Sequence, residues 1–146
     1  MTLADIVSIL TLVAIFFAGW QLLCHSRHMH REFELLYVQR YWALMDRRSV
    51  TFALEREPED SDRLTIRAYL QLSEDEADLR RLGRITDNTW IFWSKAIVDQ
   101  ASTPAYLAEL ERASEADYPL VRALLASRGG ADPLRKNWMW RKLHGL

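Results

Sequence analysis

The chain contains a single cysteine, Cys24, so no disulfide can form within it. There are just five glycines, and none of them falls in a phosphate-cradling loop. A nucleophile elbow and a zinc-protease histidine pair are also missing. Lysine is scarce, with three against sixteen arginines. The 19 basic and 20 acidic side chains give a net charge of -1, and they are interspersed rather than sorted into a basic stripe. That excludes the usual electrostatic footprint of a nucleic-acid binder, so no nucleic-acid partner is expected. No internal repeat or low-complexity tract is present, and 146 residues suffice for one compact domain.

What is present is one long apolar run. Ile6 to Cys24 carries no charge across 19 residues, with only Ser8, Thr11 and Gln21 as polar side chains. At about 1.5 Å per residue, such a helix nearly crosses a hydrocarbon core of roughly 30 Å. Ser8 and Thr11 can return their hydroxyls to the preceding helical turn, which makes them inexpensive in lipid. A cleaved signal peptide would need a basic leader and a small-residue exit, whereas the only early charge is Asp5 and the run ends Leu22-Leu23-Cys24. A lipoprotein site fails on the bulky Leu23. A buried globular helix would need a core large enough to surround it on every side. The run is therefore read as a transmembrane helix, with no second candidate later in the chain.

Charge orients it. Arg27 and Arg31 follow the run and no Arg or Lys precedes it, so the N-terminus is expected outside and the C-terminal domain in the cytoplasm of an inner or plasma membrane. Trp20, Arg27 and Arg31 are the expected membrane-boundary residues, with the Trp20 indole at headgroup level. A reducing interior also suits a lone thiol.

The remainder reads as helix. Over 31–48 the apolar residues Phe33, Leu36, Tyr37, Tyr41 and Leu44 recur at three- and four-residue steps, and Leu35, Val38, Trp42 and Met45 repeat that spacing beside them. An arc that wide must meet several neighbours. Glu55 to Asp62, broken by Pro58, reads as a loop, and Leu64 to Leu72 as a helix capped by Asp60 or Ser61. Ser73 and Glu76 have the spacing of a capping box and predict a fresh helix start, which Gly83 ends. Asp87 is the expected cap of a helix with Trp90, Ile91, Trp93, Ala96 and Ile97 on its inner stripe. Thr103-Pro104 and Pro119 open two more, the last ending at Gly129-Gly130. The expected fold class is all-α: one N-terminal transmembrane helix followed by a small cytoplasmic multi-helix domain. Its parts are a short extracytoplasmic tail (1–5), the span (6–24), a juxtamembrane helical extension (25–48), a helical domain (49–128) and a basic aromatic tail (129–146).

Chemistry-bearing residues are sparse. Cys24 and His28 lie one helical turn apart and could share a metal such as zinc, or haem, but His25 and His30 point elsewhere and the spacing matches no defined motif. The leading expectation is thus no cofactor and no catalytic residue, with a Cys/His metal site, or a proton-sensing cluster, as the alternative. The acidic groups at Glu55 to Asp62 and Glu74 to Asp78 lack a calcium-loop pattern and read as solvated helix starts. Arg63, Arg67, Arg80, Arg81 and Arg84 are placed to tie short helices to carboxylates.

Large aromatic side chains concentrate binding free energy where water is excluded. Tyr37, Tyr41 and Trp42 are the expected interface near the membrane, with Trp90 and Trp93 in the core. In the tail, Trp138 and Trp140 alternate with basic groups; they either touch anionic headgroups or, as preferred, fold back onto the domain or pack a subunit. The expected function is a single-span membrane-anchored adaptor or accessory subunit, with membrane lipid and a protein partner or second copy as its contacts. The alternatives are a ligand- or metal-responsive membrane sensor and a small membrane enzyme.

Overall fold

A computed structural model describes residues 3–53, 58–144 and 146, and within them all side chains except those at 23, 24, 26–29, 50, 51 and 143. Among the described residues every regular element is a helix. The first, α1 (Leu3–Met45), runs 43 residues without a break, a length of roughly 65 Å at the α-helical rise. No proline interrupts it, and Gly19 is its lone glycine. The segments expected as span and extension are therefore one continuous rod. Residues Leu3–Leu22 form a helix long and apolar enough to cross a membrane, and none of it is buried in the protein.

The other half of α1 belongs to the domain. His30, Tyr37 and Met45 are buried and Phe33, Glu34, Tyr41 and Leu44 are half-buried, so one side repeating at helical spacing enters the core. Leu35, Val38 and Trp42 stay exposed on the adjacent side. Six shorter helices follow: α2 (Val50–Ala53), α3 (Asp60–Arg81), α4 (Asp87–Ala101), α5 (Pro104–Arg112), α6 (Pro119–Ala126) and α7 (Trp138–Leu143). Helix α3 is the axis, packed against α1, α4, α5 and α6.

Two apolar clusters lie along α3. At one end Met45, Phe52, Ile66, Tyr69, Leu70, Tyr106, Leu110 and Val121 meet, with Tyr69 and Tyr106 edge to face at 5.2 Å. At the other, Ala77, Ile85, Trp90, Ile97 and Leu124 close the domain. Burying each large apolar side chain contributes about 1.5–3 kcal/mol. The single turn α2 can close the first cluster because Phe52 drops into it.

Three local expectations change. Helix α3 continues through Ser73, whose side chain is buried, because Leu70, Leu72 and Ala77 keep one apolar stripe running past it. The capping box sits instead at the true start, where Glu59 and Asp62 exchange side-chain and backbone bonds. For α4 the cap is Thr86, which accepts from the Thr89 N–H, and Asp87 is free for another task. The buried stripe of α4 is Trp90, Ser94, Ile97 and Ala101, whereas Ile91 is exposed, a rotation of one position from the expected face.

The acidic residues are not merely solvated. Asp62, fully buried, accepts from the Ser49 N–H at 2.8 Å, the Ser49 hydroxyl at 2.7 Å and the Glu59 N–H at 2.9 Å. Burial alone would raise its pKa, but these donors hold it below the ordinary value. Glu74 reaches across to the first turn of α6 and accepts from Leu120 and Val121 N–H groups, a cap supplied by another helix. Of the five arginines, Arg67 and Arg63 pair with buried Glu109 on α5, Arg81 pairs with Asp78, and Arg80 is the centre of a larger network.

Candidate functional site

The end of the domain nearest the apolar rod is tied together by polar bonds. His30, 3% exposed, sits between two backbone carbonyls, with Nδ1 2.8 Å from Arg84 O and Nε2 3.2 Å from His144 O. One turn later Glu34 accepts from the Thr86 N–H at 3.0 Å and its hydroxyl at 2.8 Å, which pins α1 to the start of α4. His30 lies eight residues beyond Leu22, roughly 12 Å along the helix, so the C-terminal tail is drawn to the end of the domain next to the rod.

Within that tail the two interface candidates separate. Trp140 folds back: it stacks on His144 at 3.9 Å, carries Lys136 Nζ at 5.4 Å from its ring centre, and covers Gly83, where an added Cβ would come within 3.0 Å of the indole. Gly83 also has φ +71°, so both space and backbone conformation require glycine there. Trp138 points outward and is 72% exposed, next to exposed Met139. Arg31 is exposed and lines a groove with Glu34, Thr86, Trp138 and Arg141.

The expected boundary and metal residues fare unevenly. Trp20 is exposed on the apolar rod, two residues before Leu22. The side chains of Arg27, Cys24 and His28 lie outside the described residues. His25 is exposed, and His30 has turned both ring nitrogens toward carbonyl oxygens. No three His, Cys, Asp or Glu side chains converge as a metal cluster among the described residues.

The other three aromatic candidates gather farther along α1. Tyr37 is buried, 6.3 Å from Trp93, with the Arg40 guanidinium 5.2 Å over its ring. Tyr41 is half-buried and meets Trp42 at 5.3 Å and Tyr69 at 6.1 Å, edge to face in both cases. Trp42 is 59% exposed. With Leu35 and Val38 on α1 and Phe92 on α4 it forms an apolar surface beside a shallow groove. Trp90 is in the core as expected, while Trp93 is half-buried on the wall of a pocket.

That pocket holds about 260 Å³ and was not anticipated from the sequence. Three helices line it: Val38, Tyr41 and Trp42 from α1, Tyr69 and Glu76 from α3, and Trp93, Ala96 and Ile97 from α4. Glu76 and Tyr69 stand seven residues apart and share a face of α3. The Glu76 side chain lies in this apolar setting with only 8% of the residue exposed. Burial, reinforced by neighbouring Asp75, pushes its pKa up to about 8. The only signal for it in the sequence was the tyrosine-to-acid spacing on α3, which the capping-box reading of Ser73 and Glu76 obscured.

Chemically, the site offers aromatic faces and one acid whose charge is suppressed by its surroundings. No family model matches the chain, and no curated protein or solved structure matches it either.

Proposed function

We propose that the chain is a single-span membrane-anchored recognition subunit, with its N-terminus outside, its helical domain cytoplasmic and its α1/α4 face turned to a protein partner. The observation that carries this reading is the unbroken α1. Its Leu3–Leu22 stretch is wholly exposed apolar surface, yet the same rod supplies His30, Tyr37 and Met45 to the domain core. Exposing so much contiguous apolar area to water is unfavourable, and lipid removes the cost. Because one helix is both anchor and core element, the domain is held at a fixed height and rotation above the bilayer. A cleaved leader would have no reason to share a helix with the core.

The exposed apolar side chains of α1 resume above the rod at Leu35, Val38 and Trp42, one helix face. The partner that fits this continuity is a helix of another protein in the same membrane, running alongside α1 and extending onto Phe92. Topology is the first test. A cysteine placed at Ser114 in a Cys24→Ser background is expected to resist a membrane-impermeant thiol reagent in intact cells and to react after permeabilisation; labelling in intact cells would reverse the partner's side.

The partner face is tested by photo-crosslinking in native membranes. A crosslinker at Leu35 is expected to give a discrete adduct with another membrane protein, and one at Leu64, exposed on α3, is expected to give none. Trp42→Ala should weaken that adduct at least several-fold while leaving helicity unchanged, as truncating an exposed aromatic anchor does. Equal loss of helicity and adduct rejects Trp42 as a recognition residue, and an adduct only with a second copy replaces the accessory-subunit reading with self-association.

A further inference from the structure

We propose that the pocket between α1, α3 and α4 binds a compact organic ammonium ion, its N–H donating to the Glu76 carboxylate and its carbon skeleton lying against Tyr41, Trp42, Tyr69 and Trp93. Three observations converge on that ligand. Glu76 is a largely buried residue, 8% exposed, and no hydrogen bond or ion pair reaches its carboxyl group from the described residues. A buried polar group left in that condition is costly and calls for a partner. The walls are aromatic, and aromatic faces attract cations through their negative quadrupole, more strongly where water is excluded. The volume, about 260 Å³, lies just below the range typical of drug-sized ligands and suits a small amine.

The groups around the acid leave the charge balance open for such a guest. From α3, Asp75 adds negative potential and Tyr69 contributes a phenol; from α1 come Tyr37 and Tyr41. Arg40, the cation nearby on α1, is occupied over the Tyr37 ring. Helix α4 contributes only Trp93, Ala96 and Ile97. An ammonium ion therefore brings the positive charge that the pocket lacks, and a charge-assisted hydrogen bond to a carboxylate is among the stronger kinds available. Trp42, 59% exposed, stands at the rim between the pocket and solvent.

Binding of the cation requires ionised Glu76, so the guest displaces a proton. With an acid that titrates near 8, only about one molecule in a hundred is ionised at pH 6 and most are at pH 9, whereas an alkylammonium stays charged through that range. The experiment is calorimetric titration of the full chain in dodecylmaltoside micelles with n-butylammonium, using n-butanol as the neutral probe of similar shape. Butylammonium is expected to bind saturably and at least 30-fold more tightly at pH 9 than at pH 6, with no such change for butanol. Glu76→Gln should abolish the pH dependence and reduce affinity at pH 9 at least 30-fold.

Trp42→Leu, at the exposed rim, should weaken binding about 2- to 5-fold at pH 9 and leave its pH profile intact. Absence of saturable butylammonium binding at pH 9, equal binding by the Gln variant, or equal affinity for butanol overturns the proposal. The measurement uses isolated protein, so its outcome is independent of the membrane partner argued above.

Discussion

Replacing Arg80 with methionine is expected to destabilise the helical domain by about 3–5 kcal/mol, the usual cost of removing one partner from a buried charge network. Arg80 is 1% exposed, and its guanidinium spends every face on a different part of the chain. Nε and one terminal nitrogen grip the Asp132 carboxylate at 2.9 and 2.6 Å, the same terminal nitrogen reaches Asp87 at 2.6 Å, and the other donates to Ile85 O at 2.8 Å. The fork is bidentate on Asp132, a geometry lysine cannot reproduce. Arg141 closes the circuit from α7, 3.1 Å from both Asp87 and Asp132, and donates to Leu134 O at 2.9 Å. Two cations and two anions thus join the end of α3, the start of α4, the 132–134 segment and α7.

Without Arg80 the two aspartates keep Arg141 as their cation, Asp132 keeps the Leu134 N–H at 2.9 Å, and the Ile85 carbonyl loses the Arg80 donor. Arg141→Ala should cost less, about 1–2 kcal/mol, because its side chain is partly solvated. The two losses should not add, since both variants damage the same network. Denaturant unfolding of the full chain in micelles, followed by tryptophan fluorescence, measures all three. A methionine variant within 1 kcal/mol of the native chain would show that the network is offset by its own desolvation.

This network also shows where reading the sequence stops. Arg80 was legible as one of five arginines near carboxylates, and Asp87 as a residue beside a helix start, but Asp132 is 52 positions from Arg80 and no local pattern joins them. The helices themselves were legible because their apolar stripes repeat at the α period and because Thr103-Pro104 and Gly83 punctuate them. The long apolar rod was legible from composition alone. Ser73 misled because a serine followed three places later by glutamate has the same local chemistry at a helix start and in mid-helix. Tertiary packing decides between them, and the stripe Tyr69, Leu70, Leu72 and Ala77 carries α3 straight through.

For the candidate site the division is similar. Aromatic residues at 37, 41 and 42 stood out, yet whether each faces core, pocket or solvent depends on the rotation of α1 against α3 and α4. Tyr37 went inside, Trp42 outside and Tyr41 between them, all within two turns. The tail resolved into one indole folded over Gly83 and one left exposed, a difference set by the fit of Trp140 against a residue with no side chain. Beyond its spacing from Tyr69, nothing set Glu76 apart, because its neighbours Glu74, Asp75 and Asp78 make it look like one more member of a solvated acidic run.

Glu76→Gln is expected to stabilise the domain at pH 9 by about 2–4 kcal/mol and to change stability by less than about 1 kcal/mol at pH 5. The sign follows from the folded state holding its proton more tightly than the unfolded chain. Burial raises the Glu76 pKa from the ordinary 4.5 to about 8, so between those values the folded protein binds the extra proton. Stability is then lost as pH rises from about 4.5 to about 8, and the loss levels off above that. Glutamine has no proton to lose and escapes this penalty.

Asp62, Glu109 and Asp132 behave oppositely. Burial alone would raise each of them, but hydrogen bonds and arginines hold all three below their ordinary values, and the stability they contribute disappears in acid as they protonate. The native domain is squeezed from both sides, whereas the glutamine variant should keep only the acid limb. Denaturant midpoints at pH 5 and pH 9 give the comparison directly, and a difference between native and variant that is the same at both pH values would refute the buried, proton-holding acid. Adding n-butylammonium at pH 9 should then restore the native chain toward the variant's stability, because a guest that binds only the folded state raises it by mass action, while the variant itself should not respond.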